Sequence, residues 1–175
     1  MSSKVLDIKK LAYHEAGHAV ACYVFHRRFS KVTIVSDDNF DGQVKFSDSY
    51  WLTNFEPDTI KTFTPVIRNR IEEEVMIWFA GMVVESHLTG KSDYGGLQDQ
   101  DDAIGLLEYL VYSPEELIPY VDWLFVRIQG LLTTLPYWDA IEDLAKELLA
   151  NKEMGYRKAR KIIKSAIERP NPLFK

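Results

Sequence analysis

Apolar residues recur at every third or fourth position along most of this chain, which is the spacing of one face of an α-helix. The first such segment has its apolar positions at Ile8, Leu11, Ala12, Ala16, Ala19, Val20 and Tyr23. This pattern predicts a first helix that ends near residues 26–28. Gly17 costs about 1 kcal/mol in a helix relative to alanine. We therefore expect it where the backbone packs closely against another element.

A second long helix is predicted from Thr64 to Gly90. Pro65 stands at the first helical position, where proline is favoured, and Gly90 suits the residue that ends a helix. Apolar residues occupy nearly every face in the middle of this segment. A helix of this kind is buried, so we expect it to form the centre of the fold.

Further helices are predicted in the second half of the chain. Ser113 and Glu116 have the spacing of a capping box, and the helix that they begin should reach about residue 132. Pro136 opens a last long helical region, which is interrupted near Gly155.

A short segment after the first helix follows the period of a β-strand instead. Val32 and Ile34 alternate with polar neighbours, as do Val44 and Phe46, and the stretch Asp37–Gly42 between them is rich in turn residues. This predicts a hairpin beside the first helix. An extended peptide can add to the edge strand of such a hairpin. The fold class is therefore mainly α, with one small β-hairpin.

Composition and charge narrow the class of protein. The 175 residues are 46% hydrophobic and 27% charged, which is typical of a globular protein with one core. We expect a single domain over residues 1–175. The net charge of −5 gives no general reason to bind nucleic acid. From Lys146 onward, however, nine basic and three acidic residues form a basic helical segment.

Cysteine use and hydropathy bear on the compartment. Cys22 is the only cysteine in the sequence, so an internal disulfide is excluded and a reducing compartment is favoured. The first ten residues lack the apolar core of a secretory signal. The longest apolar run, Val75–Val84, is shorter than the 18 or more residues of a membrane span. We expect a cytoplasmic protein that is not inserted in a membrane.

His14, Glu15 and His18 form the pattern HExxH within the first predicted helix. Residues four apart lie one turn apart on the same helical face, so both imidazoles can reach one metal ion. Zinc held in this way lowers the pKa of a water ligand to about 7 and polarises a peptide carbonyl. Glu15 neighbours that face and can take a proton from the attacking water. The segment therefore predicts half of a catalytic zinc site.

A catalytic zinc ion needs a third protein ligand and an open position for water. The continuation HExxHxxGxxH is absent, because Ala21 and Val24 stand where glycine and histidine are required. The candidates further along are Glu85, His87 and the acidic run Asp99–Asp102. The dipole of a helix also explains His87 near a C-terminus and aspartates in a first turn. Local sequence leaves the choice open.

Four stretches together resemble the protease domain of the FtsH family of ATP-dependent zinc metalloproteases: AYHEAGHAV, KVTIV, FAGMVVE and GGLQDQDDA. In that family the pattern GxxxDxxxA supplies an aspartate ligand, and Gly95, Asp99 and Ala103 match its spacing. The resemblance implies that Asp99 is the third zinc ligand beside the two motif histidines, and that Glu15 is the general base. It covers almost the whole chain and implies a helical FtsH-type peptidase domain.

The chain also departs from the family pattern. The family joins this domain to an AAA ATPase and to membrane-spanning helices, and this sequence contains neither. Val83 and Val84 replace the usual alanines, and residues 96–98 differ from the small and polar residues usual before the aspartate. These departures bear on ring assembly and substrate delivery more than on the metal site.

The leading hypothesis is a zinc endopeptidase that binds one Zn²⁺ per chain and cuts unfolded proteins or peptides lying along the hairpin. A second hypothesis is a zinc-containing interaction module that binds a partner without cutting it, with its basic C-terminal segment docked on an acidic protein. A third is a peptidase subunit that works only with a separate AAA ATPase. A hexamer like that of FtsH, a smaller homo-oligomer and a monomer all remain open.

Overall fold

The computed structural model describes residues 3–35, 42–46, 64–90 and 103–170. Within these ranges the helices are α1 (Ser3–Val24), α2 (Pro65–Thr89), α3 (residues 103–107), α4 (Pro114–Leu132), α5 (Tyr137–Asn151) and α6 (Tyr156–Ile167). The strands are β1 (Phe29–Thr33), β2 (Gln43–Phe46) and β3 (Glu153–Gly155). The prediction of a mainly helical fold with a small β element is confirmed. The expected turn over 37–41 and the acidic run Asp99–Asp102 lie outside the described residues.

Helix α2 is the centre of the fold. Its buried positions extend from Ile71 to Val84, and it packs against α1 on one side and α4 on another. Helix α1 also packs against α5, which in turn packs against α6. The prediction of a buried central helix is therefore confirmed.

The contact between α1 and α2 is close because small residues line it. A β-carbon added to Gly17 would lie 2.8 Å from the carbonyl oxygen of Ala80 and 2.8 Å from Cγ2 of Val84. Real β-carbons do not approach a backbone oxygen so closely. The glycine in the motif helix therefore permits the close packing that its position predicted.

The sheet has three strands in the order β2-β1-β3, and both pairings are antiparallel. Val32 lies opposite Val44 in β2 and opposite Met154 in β3. The predicted hairpin is confirmed, but β3 was not predicted. Three residues are too few to display a period of two, and β3 interrupts an otherwise helical pattern. Among the described strands β1 is central, so the outer edges of this sheet belong to β2 and β3.

The ends of α2 follow the predicted signals. The hydroxyl oxygen of Thr64 accepts a hydrogen bond from the backbone N–H of Ile67 at 3.3 Å. Gly90 ends the helix with a φ of 67°, in the left-handed region that glycine adopts without steric cost.

Two other predicted helix ends are corrected. Helix α4 begins after Ser113 as expected, but the Ser113 side chain makes no capping hydrogen bond. Glu116 accepts instead from the backbone N–H of Tyr112, one residue earlier, at 3.0 Å, so the reciprocal capping box is wrong. Helix α1 ends at Val24, two residues before the expected limit.

A Schellman motif closes α1. The backbone N–H of Arg27 donates to the carbonyl of Cys22 at 2.7 Å, and that of His26 donates to Tyr23 at 3.3 Å. His26 takes the left-handed conformation at φ 57°, where glycine is usual. Across the described ranges, no helix is long and apolar enough to cross a membrane.

Candidate metal centre

The motif histidines converge as their spacing predicts. His14 and His18 lie one turn apart on α1, and their Nε2 atoms are 2.9 Å from each other. The ring centroids are 4.6 Å apart, with the ring planes inclined by 67°. The two nitrogens thus point at one place, which is the arrangement that a shared metal ion requires.

Helix α2 holds the other nitrogen of each ring. Nδ1 of His14 lies 2.8 Å from Oε1 of Glu85, and Nδ1 of His18 lies 2.7 Å from the carbonyl oxygen of Ile77. The hydrogen bond from His14 lowers the pKa of Glu85, so Glu85 is a carboxylate at neutral pH. Both partners can only accept a hydrogen bond. Each Nδ1 therefore carries a ring hydrogen, and in a neutral imidazole the Nε2 atom then has a lone pair.

This donor set fits a metal cation. Two such lone pairs that face each other repel unless a proton or a metal cation lies between them. Burial and the neighbouring His14 lower the pKa of His18 to about 3, against the raising effect of its hydrogen bond to Ile77, so His18 is neutral at neutral pH. A neutral imidazole is the form that binds metal. Two nitrogens on one tetrahedral zinc ion lie about 3.3 Å apart, close to the observed separation.

Glu15 lies beside this pair in a protected position. Only 4% of its surface is exposed, and its carboxylate approaches the start of β2. A β-carbon added to Gly42 would lie 3.1 Å from Oε1 of Glu15 and 2.9 Å from Cδ1 of Leu11. The glycine thus lets the strand pass close to the carboxylate. The hairpin and the motif helix therefore meet at Glu15.

Gly81 on α2 makes room for the His14 ring. A β-carbon at this position would lie 2.4 Å from Nε2 of His14 and 2.5 Å from its Cε1. Any larger residue would displace the imidazole. The pair Ala80 and Gly81 thus gives α2 one small residue against the backbone of α1 and another against the His14 ring.

The third ligand is not found in the part of the chain that the structure describes. Within it, no group of three or more His, Cys, Asp or Glu side chains could hold a metal ion. Glu85 bonds to Nδ1 of His14, away from the converging nitrogens. His87 is exposed in the last turn of α2, and its ring packs against Trp138 with the two ring centroids 4.4 Å apart. Asp99 lies outside the described residues.

The HExxH pattern predicted the two histidines and Glu15 as site residues, but it did not predict the groups that hold the imidazoles in place. Glu85 was a candidate metal ligand, whereas the structure gives it the role of hydrogen-bond acceptor for His14. The carbonyl of Ile77 carries no sequence signal at all, because every residue has one. The small residues Ala80 and Gly81 did offer a signal, since two of them stand together in a helix that is otherwise bulky.

Comparisons with known proteins identify no family. No family model matches the chain, and no curated protein matches it either. The likeness to the FtsH protease domain therefore remains a resemblance that rests on the motifs of this sequence.

Proposed function

We propose that this protein is a zinc-dependent endopeptidase in which His14 and His18 bind the metal and Glu15 is the general base. The observation that carries the proposal is the convergence of the two Nε2 atoms at 2.9 Å, with both Nδ1 atoms bonded to acceptors on α2. Histidine ligands of zinc generally donate their second N–H to a carboxylate or a carbonyl. Both kinds of partner are present here.

In the proposed reaction, each step of peptide hydrolysis has a group that would perform it. Zinc, when bound, supplies a Lewis acid that makes water acidic and polarises a carbonyl. Glu15 takes a proton from the attacking water and then delivers it to the nitrogen of the leaving amine. Its burial beside the two histidines excludes bulk water, which strengthens such transfers. Glu85 and the Ile77 carbonyl keep the imidazoles in the tautomer that leaves Nε2 free for metal.

The substrate would lie along β2. In the described sheet β2 pairs only with β1, so its second edge can accept an extended peptide by strand addition. Gly42, just before this strand, is also the point at which the hairpin approaches Glu15. A peptide paired with β2 would therefore pass beside the general base. This favours unfolded proteins and short peptides as substrates.

The resemblance to FtsH extends the proposal to the third zinc ligand, the number of zinc ions per chain and the partner protein. Asp99 is proposed as the third ligand, with one zinc ion per chain. A homo-oligomer or a separate AAA ATPase is proposed as the partner that would deliver folded substrates. A chain that works alone would be confined to substrates that are already unfolded.

The proposal is tested by measuring zinc content and casein cleavage on the same preparations. We expect the wild type to hold one zinc ion and to cut casein. Glu15→Gln should keep zinc and lose cleavage by at least about a hundredfold, since general acid–base catalysis contributes about 10²–10⁴-fold. Asp99→Ala should lose zinc.

Other outcomes would redirect the assignment. Zinc binding without cleavage of casein, with or without cell extract, would contradict the endopeptidase and favour the zinc-containing interaction module. Cleavage that appears only when an AAA ATPase is added would favour the partner-dependent subunit. Full activity in Glu15→Gln would remove Glu15 as the general base.

A further inference from the structure

A cavity lies near the C-terminal end of α1. It measures about 670 Å³ and is lined by Tyr23, His26, Arg28, Tyr156, Arg157 and Arg160. This volume falls within the range of about 300–1,000 Å³ for small-molecule sites. From this cavity we infer that the protein binds a small anion that carries phosphate groups, at a site distinct from the one that would cut peptides.

The lining brings cationic groups together from two parts of the chain. Arg157 and Arg160 are three residues apart near the start of α6, which places them on one helical face. Arg28 comes from the segment between α1 and β1, next to the turn that contains His26. Three guanidinium groups in one concave site create a strong positive potential. All three arginines are exposed, so an anion from solvent can supply a counter-charge.

That counter-charge does not come from the described part of the protein. Among residues 3–35, 42–46, 64–90 and 103–170, no carboxylate forms an ion pair with Arg28, Arg157 or Arg160. Some cations close to them in the sequence do form ion pairs: Arg27 with Glu73, Lys31 with Glu153, and Lys158 with Glu147. Arg28, Arg157 and Arg160 thus differ from these neighbours in having no carboxylate partner among the described residues.

The start of α6 adds to the same potential. Its N-cap residue is Gly155, which provides no side-chain cap, and its first turn contains no acidic residue. The positive end of the helix dipole is therefore not offset by its own side chains. Free backbone N–H groups at such an end are good donors to phosphate oxygens.

The strained residue of this region also faces the cavity. His26 keeps a left-handed φ of 57° where glycine would be unstrained. A left-handed backbone at a residue other than glycine costs conformational energy. His26 lines the cavity, so its imidazole is available there as a hydrogen-bond donor to an anion. Tyr23 and Tyr156 supply aromatic surface and hydroxyl groups. Phosphate suits this lining better than a single carboxylate, because several arginine forks can each bond two of its oxygens.

Isothermal titration with inorganic tripolyphosphate tests the inference. We expect saturable binding of one anion per chain, weakened by salt because charged groups carry it. Arg160→Gln and, separately, Arg157→Gln should each lower the affinity about tenfold. Arg70→Gln is the matched control, since Arg70 is also an exposed helical arginine but lies on α2, outside the cavity lining. Its affinity should equal that of the wild type.

Three results would overturn the inference. The first is the lack of saturable binding at millimolar tripolyphosphate. The second is an equal loss in Arg70→Gln and in the cavity variants, which would indicate general charge attraction. The third is binding of a poly-glutamate peptide in preference to tripolyphosphate, which would replace the small anion with an acidic protein segment. Helical circular dichroism of each variant verifies that it is folded.

Discussion

The two motif histidines are positioned by residues far away in the sequence. Glu85 is 71 positions from His14, and Ile77 is 59 positions from His18. The HExxH pattern predicted which side chains would converge, because four residues make about one helical turn. It could not predict the tautomer of each ring, since that depends on acceptors supplied by tertiary packing.

Replacing Glu85 by glutamine tests this positioning. The amide keeps the shape of the side chain but removes the charge that holds Nδ1–H of His14. Loss of such a partner lowers metal affinity about 10–100-fold, and we expect a fall within that range. The measurement is competition for zinc against a chelator of known affinity.

Glu108→Gln provides the control for Glu85→Gln. Glu108 is an exposed carboxylate, so this change removes the same charge from the molecule without touching His14. We expect its zinc affinity to match that of the wild type. Equal affinities in both variants would show that Glu85 does not position His14.

Glu74 predicts a dependence of stability on pH. It is fully buried in α2, and burial raises its pKa from 4.5 to about 8 despite the opposing effect of Arg27. Below pH 4.5 the carboxyl is protonated in both states. Between pH 4.5 and about 8 only the folded state keeps the proton, so this contribution to the free energy of unfolding falls as pH rises.

Urea unfolding of the wild type and of Glu74→Gln at about pH 5 to 9 measures this effect, because that range spans the titration of Glu74 in the folded protein. Glutamine resembles the neutral acid and does not titrate. We therefore expect the variant to lose part of the decline in stability that the wild type shows with rising pH. Identical pH profiles would mean that Glu74 titrates normally in the folded protein.

At the scale of elements, the site depends on how closely α1 and α2 approach. Gly17 fits against Ala80, and Gly81 fits against the His14 ring. Each glycine is unfavourable for its own helix by about 1 kcal/mol. Close packing of the two helices offsets this cost, because bulkier residues would separate the helices and move the imidazoles.

Gly81→Ala should therefore damage the metal site. Its new methyl group would begin 2.4 Å from Nε2 of His14, so the ring must shift. We expect at least a tenfold loss of zinc affinity and a loss of stability of about 1–3 kcal/mol.

Gly130→Ala on α4 is the control, because its β-carbon would meet nothing within 4 Å. That change should leave zinc affinity unaltered and raise stability by roughly 0.5–1 kcal/mol. Similar results for the two variants would contradict the close fit at Gly81.

The elements differ in how well the sequence predicted them. Helix α2 was predicted within a residue at each end, because Thr64, Pro65 and Gly90 act through local backbone chemistry. Strand β3 was missed, because it exists only through pairing with β1, more than a hundred positions away. The basic cavity was missed for the same reason. Arg28 and Arg160 become neighbours only when α6 packs beside the end of α1.

At the scale of the whole molecule, three elements meet at the proposed active site. Helix α1 provides the two histidines and Glu15, and α2 provides hydrogen-bond acceptors for the histidines. Strand β2 begins beside Glu15, and its second edge has no partner strand among the described residues. The proposed ligand Asp99 would come from residues 91–102, between α2 and α3. A functional site thus requires the tertiary fold, although the motif that identifies it spans five residues.

Zinc binding by His14 and His18 is the claim on which the proposed function depends, and equilibrium dialysis against zinc measures it directly. We expect one zinc ion per wild-type chain, and none at the same free zinc concentration in His18→Ala. The control is His87→Ala, which removes an exposed histidine that packs on Trp138 and should keep the full stoichiometry. A wild-type chain that binds no zinc, or His18→Ala that binds as much as His87→Ala, would contradict the assignment of this pair as a metal site.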